Sequence, residues 1–349
     1  MEDFDLVADL CYLNHAAVSP WPRRTVEAVR RFATENGTQG ARNYPRWLET
    51  EDRLRQALAD LINAPSKDDI ALLKNTSEAL SVVAHGLPWN PGDQVVGIRQ
   101  EFPSNRMVWQ SLEPLGVTYR LLDLNTTSDP ETSLQQLCNE NTRLLAVSAV
   151  QYGSGLRLDW ERLGDFCRRR GILFCVDAIQ ALGAVPFDVQ RSQADFVMAD
   201  GHKWLLGPEG LALFYCRPEL RERLRLYQFG WRMKADPDDF NREDWTPSPT
   251  ASRFECGSPN MLGIHALDAS LDLILERGIE SIGDAVGALV QQCIAEVDRR
   301  PRLRLLSPRD PQRRAGILTF CVEGADQASV QRRLMVQGVI CAQRAGGIR

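Results

Sequence analysis

The sequence predicts an α/β protein, with a large domain built on a mainly parallel sheet between helices and a smaller C-terminal α+β lobe. Three observations carry this. From residue 46 to 216, short and almost unbroken apolar runs alternate with helical patterns, as expected of a sheet covered on both faces. A polar stretch rich in Asp, Pro and Arg then interrupts the alternation at 217–258, too long for a simple connection. Beyond it, apolar runs at 316–321 and 338–341 flank a helical segment near 328–337.

Residues 46–63 place Trp47, Leu54, Leu58, Leu61 and Ile62 on one face of a helix, which runs into a Pro-containing turn. A strand at 70–73 and a helix at 77–86 follow, then a strand at 94–98, a helix near 105–115 and strands at 117–122 and 144–150. A helix at 160–170 leads into strands at 172–176, 196–199 and 211–216. After the polar stretch comes a helix at 261–277. The chain thus divides into an N-terminal arm (1–20), a large domain (21–275) and a small C-terminal domain (276–349).

With 349 residues, 44% of them hydrophobic, the chain is long enough for one large domain or two. Its formal net charge of −5, without a long basic block, argues against general nucleic-acid binding. No N-terminal signal pattern and no window of 18 unbroken apolar residues is found, so a cytoplasmic, non-membrane protein is expected. The nine cysteines include no C-x-x-C pair and have no histidine at ligand spacing. Reduced, mostly buried thiols and no metal follow.

The chemistry lies in two residues. The apolar strand in GILFCVDAIQALG ends in Asp177, and about one βα unit later ADFVMADGHKWLLGPEG delivers Lys203 just past another strand. A buried ion pair, or two solvent-facing loop residues, would account for each alone. A cofactor accounts for both, because both charges are costly in a covered sheet unless a ligand compensates them. Lysine forms Schiff bases with carbonyls, and pyridoxal 5'-phosphate (PLP) needs such a lysine together with an acid at its pyridine nitrogen. Thr76 and Ser77, in KNTSEALSVVAHG, stand at a helix start that suits an anion or an ordinary N-cap.

These residues resemble the class V aminotransferase family of PLP enzymes, which includes cysteine desulfurases, selenocysteine lyases, kynureninases and isopenicillin N epimerase-like proteins. The most specific stretches are VDAIQALG, DGHKWLLGPEGLALFY and RFECGSPN, and the likeness begins at YLNHAAVSP. The resemblance implies the type I PLP-dependent transferase fold. It assigns Lys203 to the cofactor carbonyl, Asp177 to the ring nitrogen, Gln180 to the phenolic oxygen, and His202 to the cofactor's border beside its phosphate. It assigns Thr76 and Ser77 to the phosphate, and Phe102, in QEFPSN, to stacking on the ring as in the kynureninase form; otherwise Phe102 is plain core. Ser258 matches a residue that reaches the neighbouring subunit's phosphate, which implies a homodimer with shared active sites. Arg349 matches the arginine that takes the substrate carboxylate, or is a surface arginine, with Arg344 as a second candidate. Asn14 and His15 match the segment lining the substrate mouth, His15 being otherwise a capping or surface residue, and Tyr152, just past the strand ending at Val150, is placed to face the active site.

Three departures bear on the reaction. Between Arg344 and Arg349 the chain reads Ala345-Gly346-Gly347-Ile348, where desulfurases place their mobile nucleophilic cysteine, so an ordinary cysteine desulfurase is not expected. Asp200 stands where a serine near the phosphate is common, and family members continue past the position of Arg349, so the small domain reads as truncated. The expected function is a PLP enzyme acting on a small amino substrate, of aminotransferase type, with C–S or C–Se β-lyase or epimerase chemistry as alternatives. A non-catalytic PLP-fold scaffold is the alternative of another class. A nicotinamide enzyme is disfavoured, since no strand is followed by G-x-G-x-x-G.

Overall fold

The computed structural model describes residues 3–241 and 243–349. In chain order the elements are β1 (Cys11–Tyr12), α1 (Arg23–Gln39), α2 (Tyr44–Leu61), β2 (Ile70–Leu73), α3 (Thr76–Gly86), β3 (Gln94–Ile98), α4 (Ser104–Gln110), β4 (Thr118–Leu122), α5 (Pro130–Leu137) and β5 (Thr142–Ser148). There follow α6 (Trp160–Arg170), β6 (Leu173–Asp177), β7 (Phe196–Asp200), β8 (Ala212–Cys216), α7 (Met261–Arg277) and α8 (Ile279–Asp298). The last are β9 (Leu303–Leu305), β10 (Phe320–Val322), α9 (Gln327–Val336), β11 (Val339–Ile340), β12 (Gln343–Arg344) and β13 (Gly347–Ile348).

Seven strands form the main sheet in the order β2-β8-β7-β6-β5-β3-β4. All neighbours pair in parallel except at β8, which runs against both β2 and β7. Alternation along each strand divides the core. Val96, Val147, Val176 and Val197 pack on one side with Leu54, Leu58, Leu163 and Ile264 of the helices. Val95, Ala146, Cys175 and Met198 pack on the other with Leu80, Val83, Val108 and Trp109. With both faces buried, a side chain reaches solvent only at the strand ends, and ligands gather at the carboxyl edge.

The small lobe is an antiparallel sheet, β12-β13-β10-β9, joined by α8 and α9. The N-terminal arm is tied to the small lobe. Its β1 pairs in parallel with β11, Cys11 opposite Val339 and Tyr12 opposite Ile340. The expected helix near 105–115 is shorter, since α4 stops at Gln110 and a single 3₁₀ turn covers Glu113–Leu115. Pro114 within that turn withholds an amide and ends regular α-helical bonding. Three helices, α1, α5 and α8, lie where no element was expected.

Gly183, in the VDAIQALG stretch, has φ +88°, and a Cβ there would lie 2.1 Å from the Trp204 carbonyl oxygen. Glycine lets the β6 exit pass directly beneath the segment that carries Lys203. Gly183→Ala is expected to destabilise the protein by at least about 2 kcal/mol, measured by denaturant unfolding.

Candidate active site

The carboxyl edge of the sheet gathers the site from five strand exits. β2 leads to Thr76 and Ser77, β3 to Phe102, β5 to Tyr152, β6 ends in Asp177, and β7 leads to His202 and Lys203. Asp177 is buried, and its Oδ1 accepts the Ile179 N–H at 3.1 Å. Burial pushes its carboxyl up to about 6, against the opposing pull of that N–H and of Lys203. Lys203 is partly buried, which lowers its ammonium below the ordinary lysine value; Asp177 opposes the shift and Arg349 adds to it. The Lys203 carbonyl is pinned by the Leu206 N–H at 3.0 Å and by the Ser19 hydroxyl, so the side chain springs from a fixed base.

Phe102 is no core residue, being 43% exposed. The Lys203 Nζ lies 5.6 Å from its ring centroid, and the ring meets Tyr152 edge-on at 5.3 Å. Gln180 is buried between two partners: Trp204 Nε1 donates to its Oε1 at 2.9 Å, and its Nε2 donates to the Ala16 carbonyl at 2.9 Å. One amide hydrogen of Gln180 remains. His15 stacks on Trp204 at 5.7 Å, and burial lowers its pKa.

At α3 the cap is Asn75, whose Oδ1 accepts the Glu78 N–H at 2.9 Å. The amides of Thr76 and Ser77 open the helix and have no intrahelical acceptor. The Thr76 hydroxyl oxygen accepts the Asp200 N–H at 3.1 Å, leaving its hydrogen free to donate, and Ser77 donates to Ser104 Oγ at 2.8 Å. The Asp200 carboxylate turns away from this nest toward His202, its Oδ1 2.9 Å from Nδ1. An acceptor-only group is thereby kept from facing an anion.

Asn14, Tyr152 and Arg349 come together. The Arg349 guanidinium donates to the Tyr152 carbonyl at 2.8 Å and to Asn14 Oδ1 at 3.3 Å. Its backbone exchanges hydrogen bonds with Ala342, so it is no loose surface residue. Burial, with Arg344 nearby, pushes its pKa down to about 10, which leaves it charged at neutral pH. Arg344 is exposed and its guanidinium bonds the Gln343 carbonyl. Ser258 stands apart from these groups, exposed on the rim of a cavity of about 280 Å³ shared with Lys74, Glu78 and Gln228. Sequence reasoning missed Glu101, Ser104 and Trp204. Only QEFPSN and HKW, which hold them beside singled-out residues, hinted at them.

A buried acid with a single hydrogen bond, a lysine losing its proton readily, an open aromatic face and a hydroxyl-and-amide nest form a donor set that fits PLP. The sequence profile of the family described as aminotransferase class-V matches residues 11–347. The chain belongs to the aminotransferase class-V family. It is therefore a PLP enzyme of that family, and the scaffold alternative falls away.

Among curated relatives, a probable cysteine desulfurase of Methanothermobacter thermautotrophicus is 32% identical over 349 residues, covering 98% of this chain and 85% of that protein. A probable cysteine desulfurase of Streptomyces coelicolor is 28% identical, covering 95% and 81%. Among solved structures, a cysteine desulfurase from Thermococcus onnurineus NA1 superposes with a TM-score of 0.86 at 26% identity, covering 97% and 86%. A C-DES mutant with glycine covalently linked to its PLP cofactor gives 0.89 at 22% identity, covering 98% and 91%, a likeness of fold. The desulfurase names run against the expectation drawn from the missing cysteine. In this chain the turn between β12 and β13 carries Ala345 and Gly346 and no thiol, and Cys341 is buried.

Because the folded state holds the Asp177 proton to higher pH than the unfolded chain, ionising this group between about pH 4 and 6 disfavours folding. In the cofactor-free protein its share of stability falls as pH rises through that window, by about 3 kcal/mol for a shift of this size. Asp177→Asn is expected to remove that part of the slope in denaturant titrations across the window.

Proposed function

We propose that this protein acts at the α-carbon of an amino acid and releases a sulfur-bearing group from the β-carbon. The convergence of the Lys203 amine, Asp177 carboxyl, Phe102 ring and Arg349 guanidinium on one crevice carries this reading. When bound, PLP supplies an electron sink that weakens bonds at the carbon bearing the amine. Asp177 would hold negative charge against the ring nitrogen, Phe102 would lie on the ring, and Gln180 would give its free amide hydrogen to the phenolic oxygen. Thr76, Ser77 and His202 would hold the phosphate at the start of α3.

Arg349 anchors the substrate carboxylate, its fork steadied by Tyr152 and Asn14. With that end fixed, Lys203 is the base of the crevice. Its lowered pKa leaves more free amine near neutrality, so Nζ takes the α-proton and can return it. His15, Asn14 and Tyr152 bound the mouth. The desulfurase relatives support sulfur as the departing group. Since the 345–348 turn has no thiol, the sulfur would leave in solution and not on that turn. Amino transfer is the second reading, favoured by the family's description.

The reading includes a homodimer in which exposed Ser258 completes the partner's phosphate site, and a large domain to residue 275 with a small domain after it. It also places the protein in the cytoplasm: all nine cysteines are free, which suits a reducing compartment. Among the described residues no helix is long and apolar enough to cross a membrane.

Purified protein incubated with PLP and L-cysteine is expected to release sulfide, with pyruvate and ammonia as the other products of β-elimination. An α-keto acid formed with no sulfide from a range of amino acids would favour amino transfer. Lys203→Ala is expected to lower turnover by a factor of about a thousand or more with the fold retained by circular dichroism. Full turnover in that variant would sink the mechanism.

A further inference from the structure

We propose that Glu101 is a positioning residue for substrate binding: by clamping residues 148–151 it fixes the Tyr152 and Gly153 carbonyls as the seat on which Arg349 and the small lobe rest. Glu101 lies just past β3 and is buried, one residue before Phe102. Its Oε1 accepts the Ser148 N–H at 2.8 Å and Gln151 Nε2 at 2.9 Å, and its Oε2 pairs with the Ser148 hydroxyl. Ser148 is the last residue of β5 and stands opposite Asp177 across the sheet. The clamp therefore ties the β3 exit to the β5 exit beside the cofactor acid.

Beyond the clamp the chain turns back on itself, with the Gln151 N–H on the Leu156 carbonyl at 2.8 Å and the Gly155 N–H on the Gln151 carbonyl at 2.9 Å. The small lobe rests on this turn. Arg349 bonds the Tyr152 carbonyl at 2.8 Å, the Thr319 hydroxyl bonds the Gly153 carbonyl at 2.6 Å, and a Cβ at Gly153 would lie 3.0 Å from the Ala345 Cβ. Three residues of the lobe thus bear on two residues whose root Glu101 holds.

A buried carboxyl is retained at low cost only when its oxygens are satisfied, as they are here. Burial pushes this carboxyl up to about 7, and the clamp holds in either protonation state, since the Ser148 hydroxyl can donate or accept. The charge is then dispensable and the shape is not. In Glu101→Gln the amide oxygen keeps both N–H bonds while the amide nitrogen faces the hydroxyl. In Glu101→Ala the root of the turn is released, and two N–H donors and the Ser148 hydroxyl lose their partner.

The test is binding of propionate, a carboxylate with no amine to react, to the PLP-loaded protein by calorimetry. It rests on the reading of Arg349 given above. Glu101→Ala is expected to bind propionate about tenfold more weakly, with the visible absorption of the bound cofactor unchanged, and Glu101→Gln to restore affinity to within about twofold. Unchanged affinity in Glu101→Ala, an equal loss in Glu101→Gln, or loss of the cofactor band together with affinity overturns the proposal. If Glu101→Ala does not fold, Gln151→Leu takes its place. A loss of a few-fold is expected there, and none would be equally fatal. Absence of propionate binding by the wild-type protein would overturn the Arg349 reading itself, and this proposal with it.

Discussion

Two opposite charges stand at the exits of neighbouring strands in a sheet covered on both faces, and much of the molecule is arranged around that fact. Asp177 and Lys203 stabilise one another across the crevice, yet burial still drives the acid toward its neutral form and the amine toward its free base. Neither state is comfortable without a ligand, because a low-dielectric setting penalises charge and leaves a neutral carboxyl short of partners. The surroundings hold the geometry open: Gly183 lets the two exits cross closely, Ser19 pins the Lys203 carbonyl, and Trp204 and Ala16 fix Gln180.

The large sheet was legible because its strands are short, apolar and separated by helices, so nearly every strand was found within a residue or two. What escaped has a common physical cause: elements specified by long-range pairing leave little local pattern. α1 fully buries only Thr25 and Ala28 along seventeen residues and carries a thin apolar stripe of Val26, Val29 and Phe32 among charged and polar residues, so its signal is weak. β12 and β13 are two residues each and exist through their mutual pairing. Glu101 was invisible as a clamp since its partners lie 47 and 50 residues further along the chain.

The site shows the same division. Asp177 and Lys203 could be argued from burial and charge alone and Tyr152 from its place just past a strand, whereas Asn14 and Arg349, far apart in the chain, came only through family resemblance. Phe102 had core as its second reading, and its exposure decides against that. Asp200 was a puzzle as a residue type and resolves as a conformation, its amide serving Thr76 and its carboxylate serving His202.

The parallel pairing of β1 with β11 joins residues more than three hundred positions apart in the chain, the first made long before the second. The residues proposed to hold PLP, from Thr76 to Lys203, are all translated before β11 exists. The cradle for PLP can thus assemble on the growing chain, while the arm bearing Asn14 and His15 waits for a dock. The contact between Asn14 and Arg349 forms only once the strand that receives the arm has been made, so the proposed PLP cradle can form before the proposed substrate mouth does.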